Sequence, residues 1–444
     1  MNKKWGIALL GLLAAAGLFY FTVGKGKLIE EMQTQVHRQL SVMAQQGFKV
    51  ETAKKAKDQE HIVLVFEDPQ KITALFQAQG IHITPETATM LQGLKVAVDL
   101  RYLPDTSHAV AADIYPLTLP KKLLQEKADP ERKKVIAHLQ EMLKRKAILL
   151  HVALSKTGSH FDGSMKDINE TIQNQNVSHI TMKGFDFNGD MKQGKLKALH
   201  EDLKFVGIED KQGLHTNIKD IHADYIITGD TPYDDTLNYT INNITIGQKD
   251  KFAYEMNGTH VDTISHNQNN LLDTEVKTAI KTATLTTKKS ALTLEEIILE
   301  MKADHLDINA LKILQNRSAS SRDDADKALK QLLSKGVVFE IPNFSIARIR
   351  KKNQTLQGLT MHAKFKIDKG FDPAAARRSP LAVLDKIDAE MDIALSNDLF
   401  AMIAQQPQSM MVLMLFPPKD MGDKKQYLLQ LHNGKLTLNG KAIK

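Results

Sequence analysis

Nineteen consecutive residues without a charge, Trp5 to Val23, constrain this chain more than any other feature. At 1.5 Å of rise per residue they would form a helix about 28 Å long, close to the ~30 Å hydrocarbon thickness of a bilayer. Lys3 and Lys4 precede the run, and Lys25 and Lys27 close it. The pattern predicts a transmembrane helix within residues 1–27 that tethers everything downstream. Ala14, Ala15 and Ala16 imitate a signal-cleavage site, but cutting there would leave Gly17-Leu18-Phe19-Tyr20-Phe21 as an exposed greasy terminus, so an uncleaved anchor is expected. Trp5 and Tyr20 fall where aromatic rings sit at membrane interfaces. The positive-inside bias is expected to keep the amino terminus inside and to export the chain after residue 27.

The sequence contains no cysteine. That excludes lipoprotein acylation, disulfides, thiol catalysis and cysteine metal sites together. A net charge of +7 could draw a chain to anionic membranes or nucleic acid. Here the lysines are spread over the whole length with acids between them, and the aromatics, 6% of residues, do not interleave with basic clusters as a base-stacking platform requires. Nucleic acid is therefore not an expected partner.

Five segments follow from the periodicities. After the anchor (1–27), Leu28, Ile29, Met32, Val36, Leu40 and Met43 form one stripe of a juxtamembrane helix over 28–47. The stripe could pair with a second copy, giving a homodimer, or lie on the following domain. Residues 48–158 read as an α+β section, with period-two runs such as Leu94, Val96, Val98, Leu100 and Tyr102, and helices near 71–79 and 131–146. Residues 159–305 read as a β meander, in which Asn188-Gly189 and Asn257-Gly258 are expected hairpin turns. The last segment, 306–444, combines helices at 308–314 and 325–333 with clean alternation: Leu359 to Ile367, Ile387 to Leu395, and a final hairpin about Asn433-Gly434. Phe365 and Met391 are expected to face the core, and Lys364 and Asp392 to face away.

Motifs that would carry chemistry fail on spacing. Gly189 to Lys195 resembles a phosphate loop, but Leu196 stands where the magnesium-binding hydroxyl belongs, so a hairpin turn is expected. Lys156-Thr157-Gly158 lacks a Ser-x-x-Lys nucleophile anywhere in the chain and reads as a turn. His200-Glu201 opens like a zinc helix, yet Lys204 occupies the second histidine's place. His222, His305 and His362 fall within strand patterns and read as strand-face residues. No catalytic, cofactor-binding or metal residue is nominated.

The anchor with Gly24-Lys25-Gly26-Lys27-Leu28-Ile29-Glu30, then Leu306-Asp307-Ile308-Asn309-Ala310-Leu311, Leu332-Leu333, Val337 to Pro342, Gln357-Gly358-Leu359-Thr360 and Leu436 to Lys441, resemble the YdgA-like family. These are bacterial inner-membrane or periplasmic proteins of unestablished role. The resemblance implies a single-pass inner-membrane protein with the bulk of the chain in the periplasm, and supplies no functional residues.

The expected fold is α+β and β-rich: a transmembrane helix, then an elongated, mostly antiparallel sheet with a few packing helices. The expected role is that of a noncatalytic envelope protein that binds an envelope partner, without cofactors. The alternative is lipid handling on an apolar sheet face, similar to AsmA-like proteins. The two separate on geometry, because the lipid reading requires an apolar face that the helices at 131–146 and 325–333 leave uncovered. An envelope hydrolase would instead need a cleft with convergent polar groups.

Overall fold

A computed structural model describes residues 29–443 apart from 79–82, 84, 104–106, 126–129, 173–177, 193–194, 316–321, 352–353, 407–412 and 414. The expected anchor lies outside the described residues. Among those described, no helix is long and apolar enough to cross a membrane. The chain divides into two compact units, one through Ile226 and one from Ile227. Both are β-rich and their ladders are antiparallel, with few helices.

The first unit opens with α1 (Ile29–Gln45), β1 (Phe48–Lys55) and β2 (Gln59–Phe66), then α2 (Pro69–Ala78) and α3 (Pro85–Leu91). Strands β3 (Lys95–Tyr102) and β4 (His108–Pro116) are followed by helices α4 (Lys121–Gln125) and α5 (Pro130–Lys144). Next come β5 (Leu150–Ser155), β6 (His160–Met165), β7 (Ile168–Ile172), β8 (Ser178–Lys192), β9 (Lys195–Glu209) and β10 (Leu214–Ile227). Neighbours pair in the order β1-β2-β3-β4-β5-β6-β8-β9-β10, and β7 takes the first part of β8 while β6 takes the second.

The apolar stripe of α1 explains where this unit's core sits. Met32, Val36, Leu40 and Met43 are buried against Ile62, Leu64, Phe66, Val96, Val98 and Ile114, and α5 adds Met142. The stripe that could have met a second copy is thus occupied by the unit's own sheet. Phe48 meets Phe66 edge-on at 4.9 Å, and each such buried side chain contributes about 1.5–3 kcal/mol.

The second unit is a longer ladder: β11 (Asp235–Gln248), β12 (Phe252–Gln268), β13 (Leu271–Thr287) and β14 (Ala291–Asp307), then α6 (Ile308–Gln315) and α7 (Arg322–Leu333). It continues with β15 (Val338–Lys351), β16 (Gln354–Ile367), α8 (Pro373–Arg378), a 3₁₀ turn (Pro380–Lys386), β17 (Ile387–Ser396) and α9 (Asn397–Ala404). Short β18 (Lys419–Asp420), β19 (Lys424–His432), β20 (Lys435–Leu438) and β21 (Lys441–Ala442) finish it. Each strand from β11 to β17 pairs with the next, then β17 with β19, β19 with β20 and β20 with β21. The terminal turn is as expected: Asn433 and Gly434, at φ 49° and 72°, join His432 to Lys435, the two left-handed residues of a type I′ hairpin.

The other two Asn-Gly pairs are not turns. Asn188-Gly189 lies inside β8, where Gly189 faces Phe161 across the ladder, and a Cβ there would stand 2.5 Å from the Phe161 ring. Gly163 opposite Phe187 is the same device reversed. Asn257-Gly258 lies inside the 17-residue β12, with Gly258 at φ +61°.

Gly258 belongs to a line of breaks. The ladders pass over Asn242, Gly258, Lys281, Glu296, Ala347 and Gly358 on successive strands, and Glu296 is also left-handed. In the first unit Gly184 and Asp220, both at positive φ, flank Lys204 in the same way. Pairing resumes unchanged across most of these breaks, but a left-handed residue resets the two-residue alternation of the strand. Met182 and Phe185, on either side of Gly184, consequently pack against the same core. The sequence changes parity in step: Tyr239 and Ile241 give way to Ile244 and Ile246, and Leu292 and Leu294 to Ile297 and Leu299. Strands of 14–17 residues, about 46–56 Å long, thereby carry apolar residues on the same face on both sides of the break.

Candidate functional site

The apolar face of the second unit is the feature most in need of a function. One row runs in register across eight strands: Tyr239, Val261, Thr278, Leu299, Phe344, Met361, Ile393 and Tyr427. At about 4.8 Å between strands, that row is roughly 34 Å wide. A second passes through Phe339, Phe365, Ala389, Leu431 and Leu436.

The opposite face is polar and satisfies itself. Asn238 donates to Asp262 at 2.7 Å, Asn243 to Asn257 at 2.7 Å, and Gln426 to Asp392 at 2.9 Å. Lys277 pairs with Glu300 at 3.0 Å and Lys302 with Glu275 at 3.0 Å. Lys364 meets Glu340 at 2.6 Å. Arg348 and Arg350 both hold the buried carboxylate of Glu295. For Lys277, Lys302 and Lys364, the hydrogen bond to the facing glutamate is the main reason each ammonium is held above its ordinary value.

Helices cover only part of the apolar side. α6 and α7 close a small core of Ala303, Leu306, Ala310, Ala328, Leu332 and Val337 at the end of β14, and α9 lies against β16, β17 and β19 with Leu399 buried. α5 belongs to the first unit. Between these, Phe339 and Leu285 are each 44% exposed and Phe365 is 37% exposed, with Leu292 and Met301 also exposed. The alternation about Phe365 and Met391 is as expected, with Ala363 opposite Met391 and Lys364 opposite Glu390. Phe365 nevertheless does not enter a core. No second layer closes over it among the described residues, and a half-wet ring is the result.

The motif residues settle into structural places. Of the phosphate-loop-like segment, Lys192 of β8 faces Lys195 of β9 across an antiparallel ladder, and residues 193–194 lie outside the described residues. Gly158 turns the chain at φ +61°. His200 and Glu201 are neighbours on β9 and so point to opposite faces. His222, His305 and His362 are in strands: His222 bridges Asp202 and Asp224 at 2.9 Å each, while the rings of His305 and His362 bond the carbonyls of Gly336 and Pro342. Among the described residues no group of three or more His, Asp or Glu is arranged to hold a metal.

Histidine–aspartate pairing across strands is a pattern that the sequence reading missed. In the first unit His61, Asp99, Asp113, His151, Ser164, Asp186, Asp202 and His222 are successive cross-strand partners on eight strands. Burial pushes the Asp99 carboxyl up, but hydrogen bonds from His61, Tyr115 and Lys146 outweigh it and leave the group below its ordinary value. The signal was present as His and Asp recurring on the polar parity of each strand.

A family model described as bacterial protein of unknown function, DUF945, matches residues 140–444. The chain belongs to the DUF945 family. The match begins in α5 and takes in the whole amphipathic ladder from β11 to β21, so that ladder is part of what defines DUF945 membership here. No curated protein and no solved structure matches the chain.

Proposed function

We propose that this DUF945 chain is a membrane-anchored, exported envelope protein whose noncatalytic task is to hold lipid acyl chains on the apolar face of its second unit. The observation that carries the reading is the exposure of Leu285, Leu292, Met301, Phe339 and Phe365 on the apolar face of a sheet whose other face is satisfied by its own polar ladder. Soluble monomeric proteins rarely expose contiguous apolar patches beyond a few hundred Å² without a binding role. An acyl chain spans one leaflet, about 15 Å, or half of the ~30 Å hydrocarbon core. Strands of 14–17 residues give it ample length. The uncharged run Trp5 to Val23 supports a bilayer within reach of this face, and the YdgA-like resemblance supports a periplasmic setting.

Purifying the full chain from native membranes and identifying both copurified lipids and copurified proteins tests this reading. Lipid retained in stoichiometric amount is expected. A protein held in that ratio with no lipid would favour a partner-binding role instead and overturn the proposal.

A further inference from the structure

Three successive hairpins at one end of the second unit's ladder are tipped with lysine. Lys249 and Lys251 lie between β11 and β12, Lys288 and Lys289 between β13 and β14, and Lys351 closes β15 before its turn into β16. Phe252 pairs with Gln248 and with Thr287, Leu292 with Leu285 and with Lys351, and Lys351 with Gln354, so the three tips end at nearly the same level of the sheet. Alternate hairpins stand two strands apart, which spaces the tips by about 10 Å.

These lysines differ from the others on the ladder. Lys277, Lys302 and Lys364 are matched to Glu300, Glu275 and Glu340, and Arg350 beside Lys351 is taken up by Glu295. The five at the tips are exposed, and among the described residues none has a carboxylate within ion-pair distance. Asp250 is the one acid in the tip sequences 249–251, 288–290 and 351–353. The other end of the same strands is acidic, with Asp234 and Asp235 at the start of β11, Asp273 near the start of β13, and Asp304 and Asp307 at the end of β14. Beyond β16 the basic rim stops, because Lys419, Lys424 and Lys425 are set against Asp398, Asp420 and Asp423.

Immediately behind the rim the apolar face begins wet. Leu285 and Leu292 are cross-strand partners, 44% and 37% exposed. Leu285 lies two residues of strand before Thr287, or about 7 Å. We propose that this end of the second unit docks on the surface of an anionic bilayer, its five tip lysines among the lipid phosphates and Leu285 and Leu292 at the hydrocarbon boundary. The two requirements select the partner together. Unpaired lysines call for a spread of anions and the leucine pair calls for hydrocarbon, and an anionic bilayer presents both within the ~5–10 Å depth that interfacial segments reach. A sheet end that leans its apolar face onto the bilayer meets both, since lysine stems bend along apolar surface while their ammonium groups stay with the phosphates.

The chain has no cysteine, so Ser290→Cys in the β13–β14 turn and Gln268→Cys at the acidic end each take a single fluorescent label. The labelled full chain, held in neutral phosphatidylcholine nanodiscs, is titrated with separate vesicles that carry nitroxide lipid, either of phosphatidylcholine alone or with about one third phosphatidylglycerol. Quenching at Ser290→Cys by the anionic vesicles is expected, with none at Gln268→Cys and little with the neutral vesicles. At about fivefold per lysine, Lys288→Gln with Lys289→Gln should weaken docking about 25-fold, and Leu285→Ser with Leu292→Ser about tenfold. Raising salt from about 0.1 M to about 1 M, which shortens the Debye length from about 10 to about 3 Å, should release it. No quenching, equal quenching at both ends, or equal affinity for neutral and anionic vesicles would overturn the proposal. The vesicle comparison keeps the lysines intact and so holds even if a lysine variant is lost. Docking does not rest on the lipid-holding reading: quenching without copurified lipid would leave it standing, and copurified lipid without quenching would remove docking alone.

Discussion

Phe66 and Phe365 are the same side chain in two different physical situations, and truncating each to alanine measures the difference. Phe66 is 1% exposed and packs edge-on against Phe48 inside the first unit. Its loss should fall in the range of about 3–5 kcal/mol that buried Phe→Ala changes cost, transfer and cavity together. Phe365 is 37% exposed. Of a side chain that can bury roughly 200 Å², about 75 Å² is never removed from water, which at ~25 cal/mol per Å² subtracts about 2 kcal/mol from the transfer contribution. No closed cavity forms around the missing ring, so that part of the penalty disappears as well. Phe365→Ala should then cost only about 1–2 kcal/mol. Because the two units need not unfold as one transition, the assay is amide hydrogen exchange read peptide by peptide, with β1–β2 reporting Phe66 and β16–β17 reporting Phe365. Equal losses of about 4 kcal/mol at both sites would mean that a layer covers Phe365, and would refute the open-face description.

Three further predictions follow from the same geometry. Gly258→Ala places a Cβ on a residue at φ +61° and 3.0 Å from the Lys281 side chain, so β12 and β13 should lose about 1–2 kcal/mol in hydrogen exchange, whereas Gly213→Ala, strained but with no neighbour within 4 Å, should affect only its own turn. The His222 imidazole is raised above 6.5, chiefly by its bond to Asp202, and the Asp224 carboxyl is lowered below 3.8, chiefly by His200. The His222 contribution is present below the ordinary imidazole value and lost as pH rises through the folded one; the Asp224 contribution is present above the ordinary carboxyl value and lost as pH falls through the folded one. Protection of β9 and β10 amides, corrected for intrinsic rates, should therefore peak between those ranges, and His222→Gln should flatten the basic limb; an unchanged basic limb would contradict the assignment. Mass spectrometry of protein from membranes should find Trp5 to Val23 retained, and an export-dependent reporter fused after Lys444 should be active; an amino terminus at Gly17 or beyond, or activity only from a cytoplasmic reporter, would remove the anchor or the topology.

Strand-by-strand alternation was legible in the sequence, as were the α1 stripe and the Asn433-Gly434 hairpin, because period and left-handed turn residues are local properties. Asn188-Gly189 and Asn257-Gly258 misled for a related reason. Glycine serves a tight turn, a left-handed break inside a strand and a bed for a cross-strand ring equally well, and only pairing partners tell these apart. The change of parity at Ile241 and Ile244 was the clue that Gly258 lies within a strand. Phe365 was placed in a core because alternation reveals which residues share a face but not whether another layer covers it.

The central claim is that the second unit's apolar face holds lipid, and in-cell photocrosslinking tests it most directly. A photoreactive phenylalanine analogue would replace Met361 or Phe365 on that face, and His362 or Lys364 on the polar one. After irradiation of growing cells, adducts would be identified by mass spectrometry. Lipid-mass adducts at Met361 and Phe365, with none at His362 and Lys364, are the result the account predicts. Adducts to protein alone at Met361 and Phe365, or lipid captured equally from both faces, would contradict it.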